Sequence, residues 1–292
     1  MGSKDISTDV EDTYHVHKIV LSCGARQSEF FSQKLSEGVG FCRVELNPSA
    51  ARAFPVMLDF IYNAASELNA TTETGVALRY LSQIFGVHEL KKKATTFIKK
   101  DFRASTAPCY FTEAHIFNEA KLRAAACTLC AASFDDIKSS DLLSLQPSLF
   151  VDVVSSSHFK ARSDDFCIKV SDVLRANPGS ANAELLSAVT ANKKMPTIDA
   201  GESLFFIHLG LEHFLPMRSD PIEEPTLYER CIMSAANNWQ SVVVRSLTEN
   251  IKDGYQFNDL PAEVRLELFE ASILAADKQT GKPQQMKVAL TP

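Results

Sequence analysis

YHVHKIVLSCGARQSEFFSQKL, Tyr14 to Leu35, places two histidines two residues apart ahead of a lysine and an aliphatic run. On a strand, His15 and His17 point to one side, as a pair of metal ligands must. A metal site needs further ligands, and the remaining histidines, at 88, 115, 158, 208 and 213, are dispersed. None sits in an HExxH helix, and His208 and His213 are five apart, off the i,i+4 register that aligns two rings. No metal site is therefore expected of the pair.

The rest of the composition narrows the classes. The chain has 292 residues, 45% hydrophobic and 23% charged, the balance of a soluble globular protein with one large or two ordinary domains. It lacks the run of roughly eighteen apolar residues that a membrane span requires. The opening MGSKDISTDVEDT is polar and acidic, unlike a secretory signal, and Ile at position six counts against myristoylation of Gly2. A net charge of -6 argues against nucleic acid as a partner. Lys91–Lys93 with Lys99 and Lys100 read as the solvated face of one helix. The seven cysteines lack framework spacing and suit a reducing interior. Cys127 and Cys130, inside AAACTLCAA, read as small buried thiols in mid-helix. The expected location is cytoplasmic or nuclear, with no nucleic-acid or membrane partner.

Along the chain, RVEL (Arg43 to Leu46) alternates and stops at Asn47-Pro48, which predicts a short strand. Phe54, Met57, Leu58 and Ile61 predict a helix with Pro55 in its first turn. Val76, Tyr80, Leu81 and Ile84 predict a second that Gly86 ends, and Val87, Leu90, Ala94, Phe97 and Ile98 a third. After Asp101 the strand signal fades. Residues 113–134 predict one long buried helix, and 140–154 a short helix, a break at Pro147, and another helix. Asp199 and Glu202 read as an N-cap and its capping-box partner. Ser140-Asp141-Leu142 and Pro147 to Phe150 are loosely echoed by Asn258-Asp259-Leu260 and Leu266 to Phe269, as stacked helix pairs would give. The prolines of SDPIEEPTLYER mark a break before the last helices, and 278–292 read as a mobile tail.

Chemistry is not legible. There is no G-x-S-x-G elbow, no Walker loop and no G-x-G-x-x-G. SEGVGF (Ser36 to Phe41) lacks the phosphate-loop lysine. Adjacent carboxylates at 135–136, 164–165 and 223–224 face different ways on a helix. No cofactor is expected, and the chain reads as a non-enzyme.

As a whole, Tyr14, His17, Lys18, Val20, Leu21, Ser28 and Phe31 resemble the opening of BTB/POZ domains. RVEL, FPVMLDFIYNAASELN with its Phe60-Ile61-Tyr62, and ALRYLSQIFGVHELKKKATTFI with its Gly86 to Leu90 resemble the remaining blocks in order. The likeness covers roughly residues 9–101. FTEAHIFNEAKLRAAACTLCAASFDDIKSSDLLSLQPSLFVDVVSS resembles the BACK domain that often follows, and nothing resembles a Kelch propeller, MATH domain or zinc-finger array. The resemblance implies an α+β BTB/POZ domain, short helices around a small sheet, over 1–101. An all-α BACK-like stack over 102–277 would follow it. It also implies a substrate adaptor of a cullin-type E3 ubiquitin ligase, with the BTB domain on the cullin and the helical region presenting a protein substrate. A BTB-BACK scaffold acting without a cullin, in transcription or cytoskeletal assembly, is the alternative. Family members carry a hydrophobic-x-acidic motif in the loop after the helix that bears their aromatic-Phe pair, and Leu35-Ser36-Glu37 occupies that place here, with Tyr62 as a further cullin contact. The resemblance implies a homodimer too, but few residues separate Asp9-Val10 from His17, where relatives insert a β-hairpin, and this weakens that expectation. Around Trp239, the only tryptophan, and after Phe159 lie the candidate substrate surfaces.

Overall fold

A computed structural model describes residues 12–38, 40–161, 163–219, 224–240, 242 and 256–280. The chain divides into two compact units, Met1–Phe102 and Arg103–Pro292.

The first unit contains α1 (Lys18–Cys23), α2 (Glu29–Ser36), α3 (Pro48–Tyr62), α4 (Gly75–Ile84) and α5 (His88–Asp101). The expected sheet is absent: no residue described in either unit is in a strand, and Arg43 to Leu46 run as irregular chain into α3. The reason is local. A strand exists only by pairing, and one alternating tetrapeptide has no partner strand. Among the described residues the α+β assignment is therefore corrected to a helical one.

Asn47 instead serves the next helix, its side chain accepting from the Ala50 N–H at 2.8 Å, with Pro48 at the first helical position. This starts α3 well ahead of Phe54, so Pro55 lies inside the helix and not in its first turn. The missing Pro55 N–H leaves the carbonyl of Ala51 without its helical donor, and Ala51 is exposed, where water can serve it. Ser28 caps α2 in the same manner, accepting from Phe31 N–H at 3.2 Å. Its hydroxyl donates to the Phe85 carbonyl at 2.5 Å, which pins the start of α2 to the end of α4. There Phe85, fully buried, meets Phe30 and Phe31 at 5.2 Å and Phe54 at 5.5 Å between ring centroids.

The second unit carries α6 (Ala107–Ile116), α7 (Ala120–Ala132), α8 (Ser139–Leu142), α9 (Pro147–Ser155), α10 (Ser163–Ala176), α11 (Ala183–Thr190), α12 (Ser203–Glu212), α13 (Leu227–Asn237) and α14 (Ala262–Thr280). It is all helical among the described residues, as its periodicity predicts. The single helix expected over 113–134 is two, α6 and α7, packed on each other. Asn118 between them takes the left-handed conformation (φ 54). Asn118 N–H reaches the His115 carbonyl at 3.2 Å and Glu119 N–H the Ala114 carbonyl at 2.8 Å, closing a Schellman turn.

The capping box expected at Asp199 and Glu202 is also elsewhere. Asp199 accepts from the Gly201 N–H at 2.7 Å and Glu202 pairs with Arg175 at 2.6 Å. The reciprocal box belongs to Thr226 and Glu229 at the start of α13. Hydrogen bonds from Thr226 and Ser219 hold the Glu229 carboxyl below its ordinary range, against the opposing effect of burial. Of the tail expected from residue 278, Lys278 to Thr280 belong to α14, and the remainder lies outside the described residues. So do Gly2 and Asp9-Val10.

Candidate functional site

His15 and His17 precede α1 in irregular chain, so the strand geometry that would pair them is missing. His17 is the N-cap residue of α1. Its backbone N–H donates to the Tyr62 hydroxyl at 2.5 Å, and its Nδ1 lies 3.3 Å from the same oxygen, the rings meeting edge to face at 5.9 Å. His17 thus ties the start of α1 to the last residue of α3. Among the described residues, no three His, Cys, Asp or Glu side chains gather where they could hold a metal.

Leu35 and Glu37 sit where α2 ends. The Glu37 N–H bonds back to the Gln33 carbonyl, and Gly38 follows with φ 77, turning the chain away from the helix axis. Leu35 is half-buried on the last turn while Glu37 is exposed beyond it. The Glu37 carboxylate lies 3.1 Å from Lys34 Nζ, an exposed ion pair that a partner must displace at little cost. Leu35 and Glu37 therefore share one turn. Tyr62 stands on a different helix and is engaged with His17, although α1 packs on both α2 and α3.

Two apolar side chains of this unit escaped the sequence reading. Ile19 on α1 is 73% exposed and Phe41, after the α2 turn, 71% exposed. Neither fills the core of its own unit, and such residues are what an interface would cover. The signal for Ile19 was the helix itself: Leu21, two residues on, faces inward and is buried, which turns Ile19 outward. Phe41 gave none, because it was counted with a glycine-rich turn.

Arg26 organises the C-terminal end of α3. Buried to 6% exposure, it donates to the carbonyls of Phe60 (3.0 Å), Asn63 (2.9 Å) and Ser66 (3.0 Å). Its guanidinium lies 3.8 Å over the Phe60 ring, and Glu89 approaches to 3.4 Å. This fixes the α3 end from which Tyr62 projects.

In the second unit the CxxC lies on α7, with Cys130 buried and Cys127 half-buried. Burial pushes the Cys130 thiol up to about 12 and raises Cys127 as well. Neither is a poised nucleophile. Trp239 is half-buried, edge-on to Phe257 at 5.5 Å and to Phe269 at 6.2 Å. Among the described residues no helix is long and apolar enough to cross a membrane.

The first unit thus exposes the apolar side chains of Ile19 and Phe41 and presents the Glu37 carboxylate on the turn that ends α2. No curated protein matches the chain. Residues 3–102 match the family model of the BTB/POZ domain, which is a protein-interaction module.

Proposed function

We propose that the chain is a non-catalytic substrate adaptor of a cullin-RING E3 ubiquitin ligase, acting inside the cell. In this reading residues 1–101 form the cullin-binding unit, and residues 102–277, a BACK-like region, present a protein substrate. The transfer chemistry belongs to partner subunits, and this chain supplies proximity. The observation that carries the reading is the α2 turn inside the BTB-matched segment. Leu35 and the exposed Glu37 are held on one turn, an apolar group to enter a groove and a carboxylate to meet a helix N-terminus or a cation. Ile19, Phe41 and Tyr62 supply further apolar area in the same unit.

The test is calorimetric titration of the full chain into a purified cullin N-terminal domain, beside Leu35→Ala and Glu37→Lys variants of verified fold. Glu37 is exposed and Leu35 only half-buried, so the variants are expected to stay folded, which their melting curves check. Loss of about tenfold or more in affinity in each variant, at least 1.4 kcal/mol, is the expected result. Tight binding indifferent to both substitutions removes the turn from the interface. A folded chain that does not bind the cullin leaves a cullin-independent BTB scaffold as the function.

A further inference from the structure

α14 has two apolar faces, one buried against α13 and the other largely exposed. Val264, Leu268 and Ser272, four residues apart, are buried on the side where the helix meets α13. Away from them, Leu266, Phe269, Ile273 and Ala276 recur at alternating spacings of three and four, the spacing of a helix–helix seam. Leu266 is 58% and Phe269 51% exposed, Ala276 is exposed and Ile273 half-buried. The outer helix of a stack ordinarily turns a polar face to water, and this one turns a second seam. Near its N-terminal end the seam runs into an aromatic cluster, since Phe269 touches Trp239, which in turn meets Phe257. Half-buried tryptophan beside phenylalanine is the composition of a binding hot spot.

The charge beside the seam selects the occupant. Glu263, Glu270 and Asp277 repeat every seventh residue along one flank, the register at which paired helices exchange charges. Glu263 and Glu270 are exposed. The opposite flank carries Arg265 and then turns into the buried side at Ser272, so the exposed rail is acidic on one side only. A second copy of α14 laid antiparallel sets glutamate against glutamate, and laid parallel meets one arginine. A helix with lysine or arginine on its facing flank meets an opposite charge at the exposed Glu263 and Glu270.

We propose that the outer face of α14, with the Trp239 cluster at its end, is a docking seam for an amphipathic helix of another protein, aliphatic along its seam and basic along one flank. The helix-in-groove mode supplies the affinity, and the acidic rail sets the direction and choice of partner. The proposal rests on the adaptor reading only in taking that helix to belong to a client. Its test contains no cullin, so the two readings fail separately.

Trp239 is the chain's only tryptophan, and its emission reports on the seam directly. Full-length protein is titrated with a designed helical peptide carrying leucine at its seam positions and lysine on its flanks. A second peptide carries glutamate on those flanks. Saturable change of Trp239 emission with the lysine peptide is expected, with binding of the glutamate peptide about tenfold weaker or worse. In a Glu263→Lys/Glu270→Lys double variant, whose changes lie on the exposed flank, that preference reverses. The reversal separates recognition from misfolding, because a damaged fold loses both peptides. Equal binding of the two peptides, or of neither, overturns the proposal. So does a dimer in sedimentation of the protein alone that the double variant alters, since the seam would then belong to a second copy.

Discussion

The two units meet the same problem, the orphan carbonyls at helix C-termini, with the same devices set in different surroundings. In the first, Arg26 gathers the carbonyls at the end of α3, two of which belong to the exposed residues Asn63 and Ser66. In the second, Arg230, on α13, donates to Thr190, the last residue of α11, at 2.6 Å, and to Met195 and Thr226. Thr190 and Met195 are both buried. Arg26 has the Glu89 carboxylate at 3.4 Å, whereas every hydrogen bond of Arg230 among the described residues ends on a carbonyl. Burial consequently pulls the Arg230 guanidinium below its ordinary value. The left-handed residue after a helix differs likewise. In the first unit Gly86 (φ 62) is packed against Glu29, and in the second Phe214 (φ 55) stands in open solvent. A shared backbone solution thus tolerates very different side chains, and what decides is whether water can reach the site.

That difference is sharpest at the two arginines. Arg230→Met strands two buried carbonyls that water cannot serve, and an unsatisfied buried acceptor costs about 1–3 kcal/mol. A total loss of ~3–5 kcal/mol in chemical denaturation is expected. Arg26→Met strands only the Phe60 carbonyl, because water replaces the guanidinium at Asn63 and Ser66, and it costs about 2 kcal/mol. Equal costs, or the reverse order, would break the account of solvent access.

Neither arginine was legible as a cap in the sequence, and the reason is common to most of what was missed. The 3.6-residue period located α4, α5 and the helices around Pro147 because it reads burial, and burial here follows the apolar stripe. Capping by Arg26 joins residues 34 to 40 positions apart, and that by Arg230 reaches 35 to 40. No local pattern announces such contacts. The strand at Arg43 failed for a related reason: alternation describes a strand's two faces but says nothing of its partner. Asn118 did carry a signal, since asparagine tolerates the left-handed region, but alanines on both sides made the stripe look continuous. Of the candidate interface, the sequence located the Leu35–Glu37 turn through a family resemblance. It did not show that Tyr62 is occupied by His17, which only the fold brings together.

Gly86→Ala tests the packed member of the left-handed pair. A Cβ there lies 2.7 Å from Glu29 Cβ and 2.9 Å from its Oε2, in a conformation that L-residues adopt at a cost of about 1–2 kcal/mol. Glu29 cannot simply rotate away, because the first of these atoms is its Cβ, and its carboxylate also holds His88 at 2.8 Å. Destabilisation of ~2–3 kcal/mol is expected in urea unfolding. The strain also bears on the start of α2, whose Glu29 N–H faces the Gly86 carbonyl, so affinity at the Leu35 turn is expected to fall with stability. A variant as stable as the parent would mean that close packing does not distinguish the two turns.

Phe214 tests the open member and gives the smallest effect, with the opposite sign. Its turn repeats that of Asn118: Phe214 N–H bonds to the Leu211 carbonyl at 3.2 Å and Leu215 N–H to Gly210 at 2.8 Å. The ring is 93% exposed, so no packing of its own offsets the left-handed backbone, and the fold gives no structural reason for it. Phe214→Asn installs the side chain that the same turn already uses after α6. It relieves about 1 kcal/mol of strain and raises the thermal midpoint by ~2–4 °C. Phe214→Ala, which trims the ring but keeps a Cβ at the same φ, is expected to leave the midpoint within about a degree. A gain in both variants would assign the cost to the exposed ring, and a gain in asparagine alone assigns it to the backbone. The second outcome is the one the comparison with Asn118 requires, because the two turns share their hydrogen bonds and differ in the side chain at the left-handed position.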